Sequence, residues 1–133
     1  MYYAAKEICF SYGHRLLDYQ GKCANLHGHN GRVLIEVSSQ KLNPQGMVVD
    51  FYEIRQVIGS WIEETLDHKM ILSEKDPLVA LLQKAEEPVV LLKENPTAEV
   101  LAKWIFEEAR RRRLPVWRVT FWETENSFAV YHE

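Results

Sequence analysis

Gly21-Lys22-Cys23-Ala24-Asn25-Leu26-His27-Gly28-His29-Asn30-Gly31 is the stretch whose two flanks decide the fold. It places a thiol, Cys23, four residues before His27 and six before His29. Imidazoles at i and i+2 of an extended chain point to the same side, because strand side chains alternate with period two. Such a pair offers nitrogen ligands of the kind zinc accepts. Upstream, residues 4–14 alternate as a strand, with Ile8, Phe10, Tyr12 and His14 on one face. Downstream, residues 29–38 alternate again, with Val33, Ile35 and Val37 on the face of His29 and Gly31. The polar, Gly-punctuated residues 15–28 connect the two. Antiparallel pairing brings the end of the first strand to the start of the second. His14 is then expected beside His29, with His27 just beyond.

The rest of the chain extends this sheet. Asn43-Pro44-Gln45-Gly46 is a turn by its residue chemistry. Asp50, with Glu53 three residues on, reads as a helix N-cap and its box partner. Phe51, Ile54, Ile58, Trp61 and Ile62 follow at helical spacing, which predicts a helix over 51–66. Asp76-Pro77 is a candidate cap for a short helix through Ala85, and residues 88–92 a candidate extended piece. Asn95-Pro96 reads as an N-cap with proline at the first helical position, opening a helix from about 96 to 113. Trp117, Val119, Phe121 and Glu123 alternate on one face of a strand over 116–124. Glu125-Asn126-Ser127 makes a turn into a last strand at 128–132. The expectation is a single α+β domain over 1–133: a four-stranded antiparallel sheet with two helices packed on one face. Aromatic residues occur on both sides of these strands, so the open face or the strand edges call for a partner, and a homo-oligomer is expected.

Composition narrows the function classes. The 133 residues are 47% hydrophobic and 26% charged, ordinary globular values. A formal net charge of −3 gives no electrostatic case for nucleic acid or an anionic membrane. No stretch approaches a membrane span, and Met1–Glu7 lacks the basic start and apolar run of a signal peptide. Two cysteines, Cys9 and Cys23, make no disulfide framework. A soluble, cytoplasmic protein is expected.

Three constellations carry chemistry. A single histidine is ordinarily a hydrogen-bonded core or surface residue, but three of the five converge on one corner. His14, His27 and His29 would leave a fourth zinc position open, the catalytic pattern, unless the Cys23 thiolate fills it and makes the site structural. With the position open, a free thiol beside the metal serves as nucleophile or base. Asp67-His68 is either a helix terminus with a dipole-favoured histidine or a carboxylate orienting an imidazole that poises a thiol. Glu123 interrupts an apolar strand face. It is either an edge residue reaching water or an anchor accepting two parallel hydrogen bonds from a guanidine-like or aminopyrimidinone group. The run Arg110–Arg113 at a helix C-terminus reads as solvated and dipole-complementing, not as a nucleic-acid site.

Phe10…His14, Cys23-Ala24-Asn25-Leu26-His27-Gly28-His29, Asp67-His68, Asn95-Pro96-Thr97-Ala98-Glu99 and Glu123-Thr124 resemble, in order, the motifs of the 6-pyruvoyltetrahydropterin synthase superfamily. Within it the chain is most similar to the bacterial 6-carboxytetrahydropterin synthases of queuosine biosynthesis. The resemblance implies the tunnelling fold, a trimer or hexamer with active sites between subunits, and zinc on His14, His27 and His29. It implies Cys23 as proton acceptor supported by His68 and Asp67, Glu123 as anchor of the pterin ring, and Thr97 beside the substrate. The implied reaction converts 7,8-dihydroneopterin triphosphate to 6-carboxy-5,6,7,8-tetrahydropterin, with loss of triphosphate and acetaldehyde. The rivals are the 6-pyruvoyl reaction on the same substrate and a non-catalytic zinc or pterin-binding protein. Two places depart from the family pattern: Tyr12-Gly13 stands where small residues such as alanine precede the metal histidine, and Gly31 where many members carry an aromatic. The segment 73–92 is also longer than in compact members.

Overall fold

Two long strands flank the histidine stretch. In the computed structural model, which describes residues 1–133, β1 (Tyr2–His14) and β2 (His27–Ser39) pair antiparallel along their whole length. The register sets His14 opposite His27 and Tyr12 opposite His29, because β2 begins two residues earlier than the alternation alone suggests. A continuous helix follows, α1, made of an α-helical segment Phe51–Ile54, a π-helical turn Arg55–Gly59 and an α-helical segment Ser60–Thr65. Asp50 caps it as expected, accepting from the Tyr52 N–H at 2.8 Å. Then come β3 (Lys69–Ser73), α2 (Leu78–Lys84), β4 (Val89–Leu92), α3 (Ala98–Arg111), β5 (Val116–Thr124) and β6 (Ser127–His132).

The sheet has six strands in the order β4-β3-β1-β2-β5-β6, and it is mixed: β1–β3 and β3–β4 run parallel, the other pairs antiparallel. This corrects the expected four-stranded antiparallel sheet with two helices; there are three helices. The two additional strands are short apolar runs, Met70-Ile71-Leu72 and Val89–Leu92, with no polar alternation to mark them. In short apolar runs of this kind, helix and strand are indistinguishable by period. α2 is the crossover that lets β4 run parallel to β3.

One core lies between the sheet and two helices. Ile8, Phe10 and Tyr12 of β1, Val33, Ile35 and Val37 of β2, and Val119 and Phe121 of β5 meet Ile54, Ile58 and Ile62 of α1 and Leu101 and Ile105 of α3. Both long helices therefore cover the same face, as the sequence indicates. A bulge between Glu36 and Val37 keeps Val116 opposite Val37 and turns Trp117 away from Val119 and Phe121. Its ring packs at 5.3 Å from Tyr3 on the opposite face, so the expected alternation through Trp117 fails there. α3 also starts later than expected. Thr97, not Asn95, caps it by accepting from the Val100 N–H, which frees Asn95 and Pro96 for the site.

Candidate metal centre and active site

β1 ends and β2 begins at the histidine corner. One ring nitrogen from each of His14, His27 and His29 lies within 4.8 Å of the other two. The second nitrogens explain which atoms converge. His14 Nδ1 is 2.7 Å from the Pro96 carbonyl, and His27 Nδ1 is 2.7 Å from the Asn25 carbonyl. A carbonyl only accepts, so both Nδ1 atoms carry the proton and both Nε2 atoms present a lone pair. All three Nε2 atoms are buried without a hydrogen-bond partner. Buried nitrogens left bare are costly, and a cation shared among them removes that cost. Burial, together with its two neighbouring imidazoles, depresses His14 to about 4 despite the Pro96 bond, and burial and His27 lower His29. Both rings are thus neutral at neutral pH, the form a metal requires. The corner can chelate a metal ion.

The remaining candidates sort into two groups. Cys23 sits in a 3₁₀ turn, Lys22–Ala24, and lines a cavity of about 290 Å³ together with His14, Thr97, Glu99 and Glu123. Glu123 Oε1 lies 3.8 Å from His14 Nε2. Burial raises the Glu123 carboxyl, and the nearby Glu99 carboxylate adds to the rise. Asp67 and His68 line other cavities, away from Cys23. The Ser11 N–H donates to Asp67 Oδ1 at 2.9 Å, and the His68 N–H donates to the Ser11 carbonyl at 2.7 Å, so this turn is clamped to β1. Asp67 Oδ2 accepts from His68 Nδ1 at 2.8 Å, which leaves the imidazole, 79% exposed, with Nε2 toward solvent. Although burial pushes the Asp67 carboxyl up, the Ser11 amide and His68 hold it below its ordinary value. Asp67 and His68 are thus in contact, and within one chain the pair lies away from Cys23.

Three features of the site escaped the sequence reading. The Pro96 carbonyl orients His14; backbone groups have no residue signature. Asn95 holds the connection before Cys23, accepting from the Leu17 N–H at 2.8 Å and donating to the Leu17 carbonyl at 2.9 Å. Glu99 puts a second carboxylate into the cavity, within the very Asn95–Glu99 run quoted above. The arginine run is tied internally, with Arg111 and Arg112 both on Glu108.

A family model described as 6-pyruvoyl tetrahydropterin synthase matches residues 3–133. The chain belongs to that family. It is 30% identical to 6-carboxy-5,6,7,8-tetrahydropterin synthase of Haemophilus influenzae, over 100% of both chains. It is 34% identical to the enzyme of the same name from Rickettsia bellii, over 92% of this chain and 94% of that one. Among solved structures, an uncharacterized protein of Wolinella succinogenes superposes with a TM-score of 0.86 at 28% identity, over 99% of this chain and 98% of that one. The 6-pyruvoyl tetrahydropterin synthase of Caenorhabditis elegans shares the fold, with a TM-score of 0.74 at 23% identity over 99% and 95%. No helix is long and apolar enough to cross a membrane.

Proposed function

We propose that the chain is a zinc-dependent lyase of the 6-carboxytetrahydropterin synthase type. It converts 7,8-dihydroneopterin triphosphate and one water to 6-carboxy-5,6,7,8-tetrahydropterin, releasing triphosphate and acetaldehyde. The convergence of three unpartnered imidazole nitrogens, with His14 lining a cavity that also holds Cys23 and Glu123, carries this reading. Relatives that match along the whole chain and bear the 6-carboxy name support it.

His14, His27 and His29 would hold the zinc and leave one coordination position to the substrate. A zinc ion held there supplies Lewis-acid polarisation of the substrate's side-chain oxygens. Cys23 acts as the base that takes a proton from the adjoining side-chain carbon. Glu123 accepts two parallel N–H bonds from the aminopyrimidinone ring, which fixes the ring while the side chain reacts. Thr97 walls the same cavity beside that ring. Asp67 orients His68, and a second copy of the chain carries this pair to Cys23 in a trimer or hexamer. Both cysteines are free, which suits a cytoplasmic enzyme using a thiol as base.

Incubation with dihydroneopterin triphosphate and mass analysis of the products tests the reaction. Release of acetaldehyde together with the carboxypterin is expected. The family model's own description favours a second reading, the 6-pyruvoyl reaction. A stable 6-pyruvoyl product without acetaldehyde would establish it instead.

A further inference from the structure

Tyr12 takes no part in the steps above, yet it is built into the site. It stands opposite His29 on the core face of β1 and is 4% exposed. Its ring centroid lies 5.1 Å from His14 and 5.6 Å from His29, and Phe10 and Phe121 pack on it at 5.4 and 5.7 Å. The hydroxyl is buried and has no hydrogen-bond partner. A buried phenol ordinarily has one. Glu123, two residues beyond Phe121, stands on the same side of the corner: its Oε1 lies 3.8 Å from His14 Nε2, and the Tyr12 ring packs on both His14 and Phe121. Gly31 makes room for the arrangement. A Cβ there would come within 2.9 Å of Phe121 and 3.1 Å of Tyr12. β2 thus omits a side chain where the Tyr12 ring lies, and the departures at Tyr12 and Gly31 become one feature.

We infer that Tyr12 is a positioning residue for Glu123: once a pterin ring is seated, the phenol O–H donates to one Glu123 oxygen and holds the carboxylate in the orientation that accepts the two ring N–H groups. An ionised carboxylate has about four lone-pair sites, so one internal donor leaves those facing the ligand free. O–H···O⁻ bonds are short and among the stronger kind. A neutral donor orients the carboxylate without cancelling the charge that binds the ring, which a lysine or arginine would do. This inference rests on the reading of Glu123 as the pterin anchor.

Tyr12→Phe keeps the ring and removes only the oxygen. Neopterin binding, followed by fluorescence titration, should weaken roughly tenfold, the scale of one hydrogen bond to a charged group. Zinc content should stay at the wild-type level, and the thermal midpoint should hold or rise, because the lost hydroxyl has no partner in the free chain. In a Glu123→Gln background the same change should weaken binding far less, since coupled groups are not additive. Equal losses in both backgrounds, unchanged affinity, or a lowered midpoint with lost metal would each overturn the inference. Should Glu123→Ala bind neopterin as the wild type does, the anchor reading fails, and this inference with it. If Glu123→Ala is weak and Tyr12→Phe is normal, only the inference falls.

Discussion

His14 combines burial, a neutral ring and a single free nitrogen, and each has a separate cause. The sheet and α3 bury it, burial keeps it unprotonated, and the Pro96 carbonyl decides which nitrogen faces the centre. Removing any of the three imidazoles leaves two ligands where zinc needs at least three from the protein. His27→Ala should therefore reduce bound zinc from about one per chain to near zero by metal analysis. Full occupancy in that variant would refute the assignment. Cys23→Ala is expected to keep the zinc and abolish turnover; loss of zinc would make the thiol a structural ligand instead. Glu123→Ala should cost at least about tenfold in pterin affinity, measured by direct titration, while the metal stays. At this scale the histidines were legible because two alternating strands and an i, i+2 pair leave little freedom in where they meet. The carbonyls that fix their tautomers were not, since every residue type supplies the same backbone oxygen.

The connection between β1 and β2 is held by contacts distant in sequence. Arg15 forks onto Asp76, with Nε to Oδ2 at 2.7 Å and the second nitrogen to Oδ1 at 2.5 Å. Asp76 is buried and also accepts from the Leu78 N–H at 2.8 Å, so one carboxylate joins this connection to the start of α2. Arg15→Ala would leave a buried charge with only a backbone donor, which should cost about 3 kcal/mol by urea unfolding at pH 7. The Arg15 guanidinium holds the Asp76 carboxyl below its ordinary value in the folded chain. That contribution is present above the unfolded value, about 3.9, and is lost as pH falls through the lower folded value. Wild-type stability should therefore decline across this acid window. A wild-type stability independent of pH there, or an Arg15→Ala chain as stable as wild type, would dismiss the clamp. The same region shows where reading by period ends. Long amphipathic elements, α1, α3, β1 and β2, carry their own signature, whereas β3 and β4 are short apolar runs whose strand character comes from pairing with their neighbours. Thr97 displaced Asn95 as the cap of α3 because the Asn95 side chain was already committed to Leu17.

At the scale of the molecule, two observations motivate the proposal that the active site forms between copies of the chain. The cavity holding Cys23 and Glu123 is lined by two carboxylates and by no lysine or arginine, although the proposed substrate carries a triphosphate. The oriented Asp67–His68 pair faces outward, away from the thiol it is proposed to serve. The sheet face opposite the helices offers a means of bringing copies together, with Tyr3 62%, Phe128 58% and Val130 42% exposed. Arg32 and Arg118 lie over Trp122 and Trp117 on that face. Apolar surface left open in this way is usually covered in the assembled state. If each site takes Cys23 from one copy and Asp67–His68 from another, two inactive variants should complement. Cys23→Ala and His68→Ala, each unfolded, mixed in equal amounts and refolded together, should recover about one quarter of wild-type turnover, since each half-site is intact about half the time. Refolding each variant alone and mixing afterwards provides the control, because stable oligomers exchange subunits slowly. No recovery from the co-refolded mixture, with zinc content and assembly size at wild-type levels, would place Cys23 and His68 in the same subunit's site; turnover by His68→Ala alone would remove His68 from the chemistry.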